Sequence, residues 1–403
     1  MGCQSLTGAS VTGLRECLFL VCGETACRLL DANIFTSSSI VGLGRSCGKS
    51  VLFGIHHTQA HNARMSTRRP THAGSWYTAD AGALTSELSG WLREAGQPSE
   101  TTGTTRAIIA PHAGYSYSGP TAAWAYKHMH IEGVKRVFLL GPSHNLYSPK
   151  CLLSGCTNYA TPIGSVEIDQ AVYDELASSN LFDEMQLSVD EREHSLEMHL
   201  PYIMHVMGTQ PYTLVPIMVG ALNEAAEARY GKLLAPYLAD PENLFVISSD
   251  FCHWGERFNY TPYDQRQGEI FQYIEALDRQ GMALIEAQNA PGFAAYQREV
   301  RAQCNPREAS TCPCALVQFP HATRRLYLDS TSLPAPITAL CCSQFSNTIC
   351  GRHPIAVLLH SLAACAEAQH KHKLTFVRYA QSSPCRSMDD SSVSYASAVI
   401  TTA

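Results

Sequence analysis

Three short runs of apolar residues in this sequence each lead directly into a turn that contains a histidine. The runs and the histidines that follow them are residues 108–110 before His112, residues 138–140 before His144, and residues 246–248 before His253. Such runs are typical of strands buried on both faces of a sheet. Because open α/β sheets bind ligands at the carboxyl ends of strands, we expect the three turns to converge on one pocket. A single histidine after a strand is more often a capping or packed residue, but three together favour a metal or catalytic site.

The rest of the pattern predicts an α/β fold. Buried strands alternate with segments of helical periodicity, which indicates one domain with a central, mostly parallel sheet flanked by helices. The predicted strands are residues 106–110, 137–140, 214–220, 244–248, 374–379 and 393–400. The predicted helices include residues 84–92, 233–238, 269–288 and 355–369.

Composition narrows the class of protein. The chain has 403 residues, of which 45% are hydrophobic and 16% charged, and its formal charge of -6 gives no basic field for nucleic acid. No apolar run is long enough to span a membrane. The sixteen cysteines are not needed as disulfides in a chain of this length. We therefore expect an intracellular protein with reduced thiols, located in the cytoplasm and in some conditions in the nucleus.

Two segments interrupt the α/β pattern. Residues 1–64 are rich in Ser, Gly and Cys and are predicted to be a disordered extension, with the domain beginning at residue 65. Residues 301–344 lack helical or strand periodicity, and structureless segments of that size are uncommon inside compact domains. The residues at the two ends of segment 301–344 can be encoded by sequences that resemble a splice donor and a splice acceptor. A retained intron is therefore one hypothesis for this segment. A genuine lineage-specific loop is the alternative.

Cys350 is a candidate ligand because it lies shortly before a predicted helix that Pro354 helps to begin. The positive end of the helix dipole would favour its thiolate. Imidazole and thiolate suit iron, copper or zinc better than magnesium or calcium. The alternative is a buried, inert cysteine.

Residues 193–199 contain His194 and His199, which are five positions apart and so do not form a zincin helix. Either histidine could line the pocket, and a structural role for each is the alternative. The cysteine pairs 312/314 and 341/342 could bind metal in principle, but they lie in the irregular segment and are more simply incidental.

Several longer motifs together resemble the Memo family. They are THAGSWY at 71–77, APHAGY at 110–115, GPSH at 141–144, EHSLEMHLPY at 193–202, SSDFCHWG at 248–255 and NTICGRHP at 347–354. The resemblance covers the chain from about residue 65 to its end, apart from residues 301–344.

The resemblance implies a fold like that of class III non-haem iron extradiol dioxygenases, which bind Fe(II) through two histidines and a carboxylate. By this resemblance, His112 and His144 correspond to the two histidine ligands of those enzymes, and Cys350 stands where they have the carboxylate ligand. His253 would be the acid/base residue outside the metal ligands, and Asp250 would border the metal or orient a ligand. The expected cofactor is iron or copper. Trp76, Tyr115, His194 and His199 are expected around the pocket.

The resemblance also implies a function. Memo-like proteins are associated with signalling from receptor tyrosine kinases to the cytoskeleton during cell migration. The expected partners are phosphotyrosine-containing receptor tails or adaptor proteins. A working dioxygenase or oxidoreductase is the first alternative, although Cys350 in place of a carboxylate argues against ring cleavage. A metal-free phosphopeptide-binding module is the second.

Overall fold

The computed structural model describes residues 42–46, 49–53, 66–96, 103–302 and 349–403. The chain divides into two units, residues 1–62 and residues 63–403. In the first unit, strands β1 (Gly42–Ser46) and β2 (Lys49–Phe53) pair antiparallel. The rest of the expected extension, and most of the expected insert, lie outside the described residues.

The second unit is built on a large sheet and a small one. Its strands are β3 (Thr67–Arg68), β4 (Thr105–Ala110), β5 (Arg136–Pro142), β6 (Cys151–Ser154), β7 (Asn158–Thr161), β8 (Gly164–Glu167), β9 (Phe182–Met185), β10 (Thr213–Val219), β11 (Asn243–Ser248), β12 (His253–Trp254), β13 (His372–Gln381) and β14 (Ser392–Thr402). The large sheet has the order β12-β14-β4-β11-β5-β10-β6-β9, and β13 also pairs with β14. Strands β3, β7 and β8 form the small sheet.

The centre of the large sheet is parallel and its flanks are mixed. Strands β4, β11, β5 and β10 run parallel to one another, and every residue of β4 and β11 is buried. β14 joins β4 antiparallel and β6 joins β10 antiparallel. The parallel centre places the carboxyl ends of β4, β11 and β5 side by side at one edge of the sheet.

Helices cover this sheet, which confirms the predicted α/β class. They are α1 (Ala81–Glu94), α2 (Tyr115–Tyr126), α3 (Gln170–Ser178), α4 (Leu187–Arg192), α5 (His194–Glu197), α6 (Leu200–Met207), α7 (Glu224–Ala239), α8 (Ile270–Glu286), α9 (Ala290–Ala302) and α10 (Arg352–Glu367). Short 3₁₀ helices occupy Glu256–Phe258 and Gln265–Gln267. Within the described residues, no helix has the length and apolar character needed to cross a membrane.

Local sequence signals explain the helix starts. The Asp80 carboxylate accepts a hydrogen bond from the Ala83 amide at the start of α1, and Asn223 caps α7 in the same way. A capping box between Glu269 and Gln272 begins α8. Each of these side chains satisfies amide groups that would otherwise lack a partner in the first helical turn.

Residues 151–185 form short strands and one helix that the apolar pattern does not predict. Strands β6 to β9 each contain only four residues, and β8 has a single buried position. Runs this short carry too few alternations to be distinguished from loop sequence.

Tyr115 and His199, two of the residues expected around the pocket, take part in a buried aromatic layer. The Tyr115 hydroxyl donates to the Met198 carbonyl at 2.6 Å, and the Tyr126 hydroxyl contacts His199 Nδ1 at 2.7 Å. Tyr202 stacks on Tyr126 with ring centroids 4.6 Å apart. Burial lowers the pKa of His199 to about 3, because the apolar surroundings disfavour the imidazolium.

Because burial lowers the pKa of His199, we predict that the folded protein loses stability as the pH falls. The substitution His199→Asn should remove this part of the pH dependence. The unfolded chain takes up a proton at His199 below about pH 6.5, whereas the folded state does not until its pKa of about 3. Stability conferred by the neutral imidazole is therefore complete above pH 6.5 and falls as the pH decreases. We expect the wild type to lose about 1.4 kcal/mol more per pH unit than His199→Asn between pH 6 and pH 4.

Urea denaturation at a series of pH values measures this difference. His370→Asn, at an exposed position, is the matched control and is expected to follow the wild type. Parallel curves for the wild type and His199→Asn would show that His199 titrates normally in the folded protein.

Candidate metal centre

The strand order brings the predicted histidine turns to one edge of the sheet. His112 follows β4, His144 follows β5, and the segment with Asp250 and His253 follows β11, which lies between those two strands. Because all three strands are parallel, their following turns leave the sheet on the same side. The spatial convergence expected from the sequence depends on this arrangement.

Cys350 reaches the same edge through a close contact between backbones. The Gly351 amide donates to Ser249 Oγ at 3.1 Å, and the Asp250 amide donates to Cys350 Sγ at 3.2 Å. A side chain at position 351 would place its Cβ 2.4 Å from the Ser248 carbonyl oxygen, so glycine is required for this approach. The result is a distance of 3.2 Å between Cys350 Sγ and His112 Nε2.

The hydrogen bonds of His112 determine which ring nitrogen is free. Ser248 Oγ donates its hydrogen to the Ser195 carbonyl at 2.8 Å, so it can only accept from His112 Nδ1, which lies 2.6 Å away. The proton is therefore on Nδ1, and the lone pair of Nε2 faces Cys350. Burial lowers the pKa of His112 well below its usual value, which keeps the ring neutral and able to bind a metal.

His144 is oriented in the same manner by a buried carboxylate. Its Nδ1 donates to Glu193 Oε1 at 2.8 Å, and its amide donates to Glu193 Oε2 at 2.6 Å. Burial opposes the charge of Glu193, but the neighbouring His144 lowers its pKa below the usual range, so the carboxylate is ionised. Carboxylates and hydroxyls that hold the second nitrogen of a histidine are typical of metal sites.

Possible metal ligands in the described residues form two groups that share His112. One group contains His112, His144 and His194, and the other contains His112, Asp250 and Cys350. Within each group the donor atoms all lie within 4.8 Å of one another. The predicted set of His112, His144 and Cys350 takes members from both groups and stays a prediction.

The donor atoms suit a transition metal such as iron, copper or zinc. An ion bound tetrahedrally by an imidazole nitrogen and a thiolate holds these atoms roughly 3.5 Å apart, close to the 3.2 Å between His112 Nε2 and Cys350 Sγ. The mixture of nitrogen and sulfur ligands also matches these metals better than hard cations.

The protonation of Cys350 differs from the expectation based on its helix. Burial and the nearby Asp250 raise the pKa of the Cys350 thiol well above its usual value. The start of α10 is therefore insufficient to produce a thiolate in the metal-free protein, because desolvation outweighs the helix dipole. A bound cation would supply the missing positive charge.

Asp250, which is expected to border the metal or orient a ligand, lies beside His112. Its Oδ1 accepts from the amides of His112 and Ala113 at 2.8 and 3.3 Å, and its Oδ2 lies 4.0 Å from His112 Nε2. Burial raises the pKa of Asp250 to about 7. Burial therefore favours the protonated form of this carboxyl group more than in an exposed aspartate.

His253 is held at the rim of this edge. Its Nδ1 donates to the Phe251 carbonyl at 2.8 Å, and its ring packs edge-on against Phe258. It belongs to neither group of possible ligands, although its charge contributes to the lowered pKa of His112. This position is compatible with the expected role outside the metal ligands.

His194 and Trp76 form a stack above His144. The ring centroids of Trp76 and His194 are 4.4 Å apart, and those of His194 and His144 are 4.3 Å apart with an angle of 18° between planes. The lone pair of an imidazole nitrogen lies in the plane of its ring, so two nearly parallel, stacked rings do not point their lone pairs at one ion. In this orientation the His194 ring packs against His144, and it would have to rotate to bind the same ion. Trp76 is 38% exposed and covers the stack from outside.

Sequence reasoning assigned no role to Glu193 or Ser248, the residues that orient His144 and His112. Glu193 is fully buried and immediately precedes His194, and a charged residue at a buried position is a signal of a functional contact. Ser248 is the last residue of β11, and nothing in its local sequence distinguishes it.

Comparison with known proteins gives a consistent result. A family model described as Memo-like protein matches residues 68–310 and 337–399. Protein MEMO1 of Homo sapiens is 42% identical over 340 residues, which cover 84% of this chain and 98% of the human protein. Protein MEMO1 of Danio rerio is 43% identical over 339 residues, covering 84% of this chain and 98% of the fish protein. Protein memo-1 homolog of Caenorhabditis elegans is 40% identical over 336 residues, covering 83% of this chain and 82% of the worm protein.

The family match is interrupted between residues 310 and 337, inside the segment 301–344 that the sequence pattern singled out. On either side of this interruption the match includes every residue of the candidate metal centre. The extent of the match and the identity to these relatives show that the chain belongs to the Memo family.

Proposed function

We propose that this chain binds iron or copper through His112, His144 and Cys350 and acts as a metal-dependent signalling effector. The observation that carries the metal site is the 3.2 Å contact between Cys350 Sγ and His112 Nε2. It brings together residues 238 positions apart, and the His144 ring lies beside His112 with centroids 5.2 Å apart. When bound, such an ion supplies one-electron redox chemistry.

The residues of this chain prepare the site for that ion. Ser248 and Glu193 hold the protons of His112 and His144 on Nδ1, which leaves Nε2 of each ring as the ligand atom. Asp250 donates its amide to Cys350 Sγ, and this hydrogen bond orients the sulfur. The surrounding burial limits access of water and strengthens charge interactions.

Removing a ligand tests the metal site. We expect Cys350→Ser, His112→Ala and His144→Ala each to weaken binding of Fe(II) or Cu(I) by at least about 100-fold, since loss of residues that only orient ligands already costs about 10-fold to 100-fold. Anaerobic titration of the full chain, with metal content measured after gel filtration, gives stoichiometry and affinity.

Cys365→Ser and His370→Ala are the matched controls for this titration. Cys365 is buried and donates to the Ala235 carbonyl, a bond that serine can keep, and His370 is exposed. Both controls should bind like the wild type. Full stoichiometric binding by all three ligand variants would exclude the proposed ligand set.

The signalling part of the proposal rests on family membership. We infer that the chain works in the cytoplasm, with the nucleus as a second location, and links receptor tyrosine kinases to the cytoskeleton during migration. Its inferred partners are phosphotyrosine-containing receptor tails or adaptor proteins. The relatives named Protein MEMO1 and Protein memo-1 homolog support the family assignment from which this inference starts.

The migration of cells that have been depleted of this protein tests the signalling part of the proposal. In cells depleted of this protein, re-expression of the wild type or Cys365→Ser should restore receptor-stimulated migration, whereas Cys350→Ser at equal abundance should not. Wound closure and protein abundance are measured together. Complete rescue by Cys350→Ser would separate signalling from the metal site.

A second candidate function is a metal-dependent dioxygenase, and one observation favours it. Asp250 Oδ2 lies 4.0 Å from His112 Nε2, so a carboxylate is present beside the histidines in addition to Cys350. Two histidines and a carboxylate form the ligand set of non-haem iron oxygenases. In this alternative Asp250 is a ligand and Cys350 is its neighbour.

Oxygen uptake by the iron-loaded chain with a panel of catechols examines this alternative. It predicts sustained uptake with a ring-opened product, and a loss of at least about 100-fold in Asp250→Asn. Asp389→Asn, at an exposed aspartate, is the matched control and should keep the wild-type rate of uptake. If no ring-opened product forms with any catechol, the dioxygenase alternative is rejected.

A further inference from the structure

A pocket lies beside the candidate metal centre and shares His144 and Cys350 with it. Its walls are residues 142–144 at the end of β5, residues 219–221 at the end of β10, and Cys350, Arg352 and His353 at the start of α10. Pro142, Val219 and Ala221 make part of the wall apolar. His144 and Cys350 face the same space, so a molecule in the pocket would contact two of the proposed metal ligands.

Arg352 is the unusual residue of this pocket. Its Nε is inaccessible to solvent and has no hydrogen-bond partner among the residues that the structure describes. No carboxylate in the described part of the chain lies within 4.0 Å of its guanidinium. Arginine keeps its charge at neutral pH, and a partly buried charge without a partner is costly.

The nearby carboxylates are engaged by other groups. Glu227 Oε1 is 2.6 Å from His353 Nδ1, and both oxygens of Glu193 contact His144. The carboxyl group of Asp250 accepts hydrogen bonds from the backbone amides of His112 and Ala113. Glu227 is near enough to attract Arg352 electrostatically, but no carboxylate oxygen of the described residues is within 4.0 Å of the guanidinium, which leaves it able to pair with an anion that enters from outside.

The helix start adds to this preference for an anion. Helix α10 has 16 residues, and Gly351 at its N-cap provides no side-chain hydrogen bond. The Gly351 amide donates to Ser249 Oγ and the Arg352 amide to the Ile349 carbonyl, so the helix contributes the positive end of its dipole and not a set of free amides. The helix dipole and the guanidinium of Arg352 therefore both favour the binding of an anion.

We propose that Arg352 binds the carboxylate of a small organic acid whose other end faces His144 and Cys350. A monoanion matches the single guanidinium in the pocket wall, whereas the second charge of a dianionic phosphate would have no cationic partner among the arginines and lysines of that wall. The planar guanidinium can donate two parallel hydrogen bonds to a carboxylate. Pro142, Val219 and Ala221 offer apolar contacts to a short carbon chain. This proposal rests on the proposed metal centre for the role of the bound acid, but not for its binding.

Binding of propionate to the full chain tests the proposal, with ligand-observed NMR as the measurement. Arg352→Gln should weaken binding by about 10-fold or more, as expected for loss of hydrogen bonds to a charged group. Arg352→Lys keeps the charge without the planar fork, so its affinity should lie between those of the wild type and Arg352→Gln. Arg93→Gln, at an exposed arginine on α1, is the control and should bind like the wild type.

Two further probes test the ligand class. Propionamide, which has the same shape without charge, should bind at least about 10-fold more weakly than propionate. Methyl phosphate should not bind more tightly than propionate. Equal affinity for propionate and propionamide, or tighter binding of methyl phosphate, would overturn the assignment of a carboxylate.

Metal-free protein and His112→Ala separate this proposal from the metal site. His112 does not line the pocket, so propionate should bind His112→Ala and chelator-treated wild type with unchanged affinity. Loss of propionate binding in His112→Ala, together with normal binding in a folded Arg352→Gln, would mean that the acid binds a metal and not Arg352. Thermal unfolding of each variant confirms that it is folded.

Discussion

The contact between residues 349–351 and the end of β11 brings the candidate site together. Gly351 allows the two backbones to meet, because any larger residue would clash with the Ser248 carbonyl. The same approach lets the Asp250 amide bond to Cys350 Sγ and places the sulfur next to His112. Without this contact, the sheet would present histidines and a carboxylate, and no sulfur ligand would reach them.

The histidines of this protein have different roles because their Nδ1 atoms have different hydrogen-bond partners. Ser248 and Glu193 hold the Nδ1 protons of His112 and His144, so Nε2 of each ring remains free to bind a metal. Nδ1 of His199 contacts a tyrosine hydroxyl inside the aromatic layer, where burial keeps the ring neutral. The chemistry of each imidazole is thus determined by its surroundings, although the residue type is the same.

The site combines features of two kinds of metal protein. Asp250 provides a carboxylate close to His112, as in non-haem iron enzymes, while Cys350 provides a sulfur at shorter range. In the proposed site, a soft sulfur ligand would favour copper(I) or change the potential of iron. The pocket beside Arg352 adds a place for an anionic molecule next to these ligands.

The sequence by itself determined the α/β class, the central parallel strands, the main helices and the family motifs. Continuous apolar runs such as those before His112 and His144 are local signals of buried strands, and ligand turns at strand ends follow from that geometry. The mixed flanks of the sheet and strands β6 to β9 were not predictable, because short strands depend on partners distant in the chain.

Only the tertiary structure decided which residues surround the candidate metal centre. It placed Tyr115 and His199 in the aromatic layer, stacked His194 on His144, and revealed Glu193 and Ser248 as the residues that orient the ligands. It also showed that burial raises the pKa of Cys350 despite the nearby helix start. Hydrogen-bond partners and desolvation arise from residues far apart in sequence, so local patterns contain no information about them.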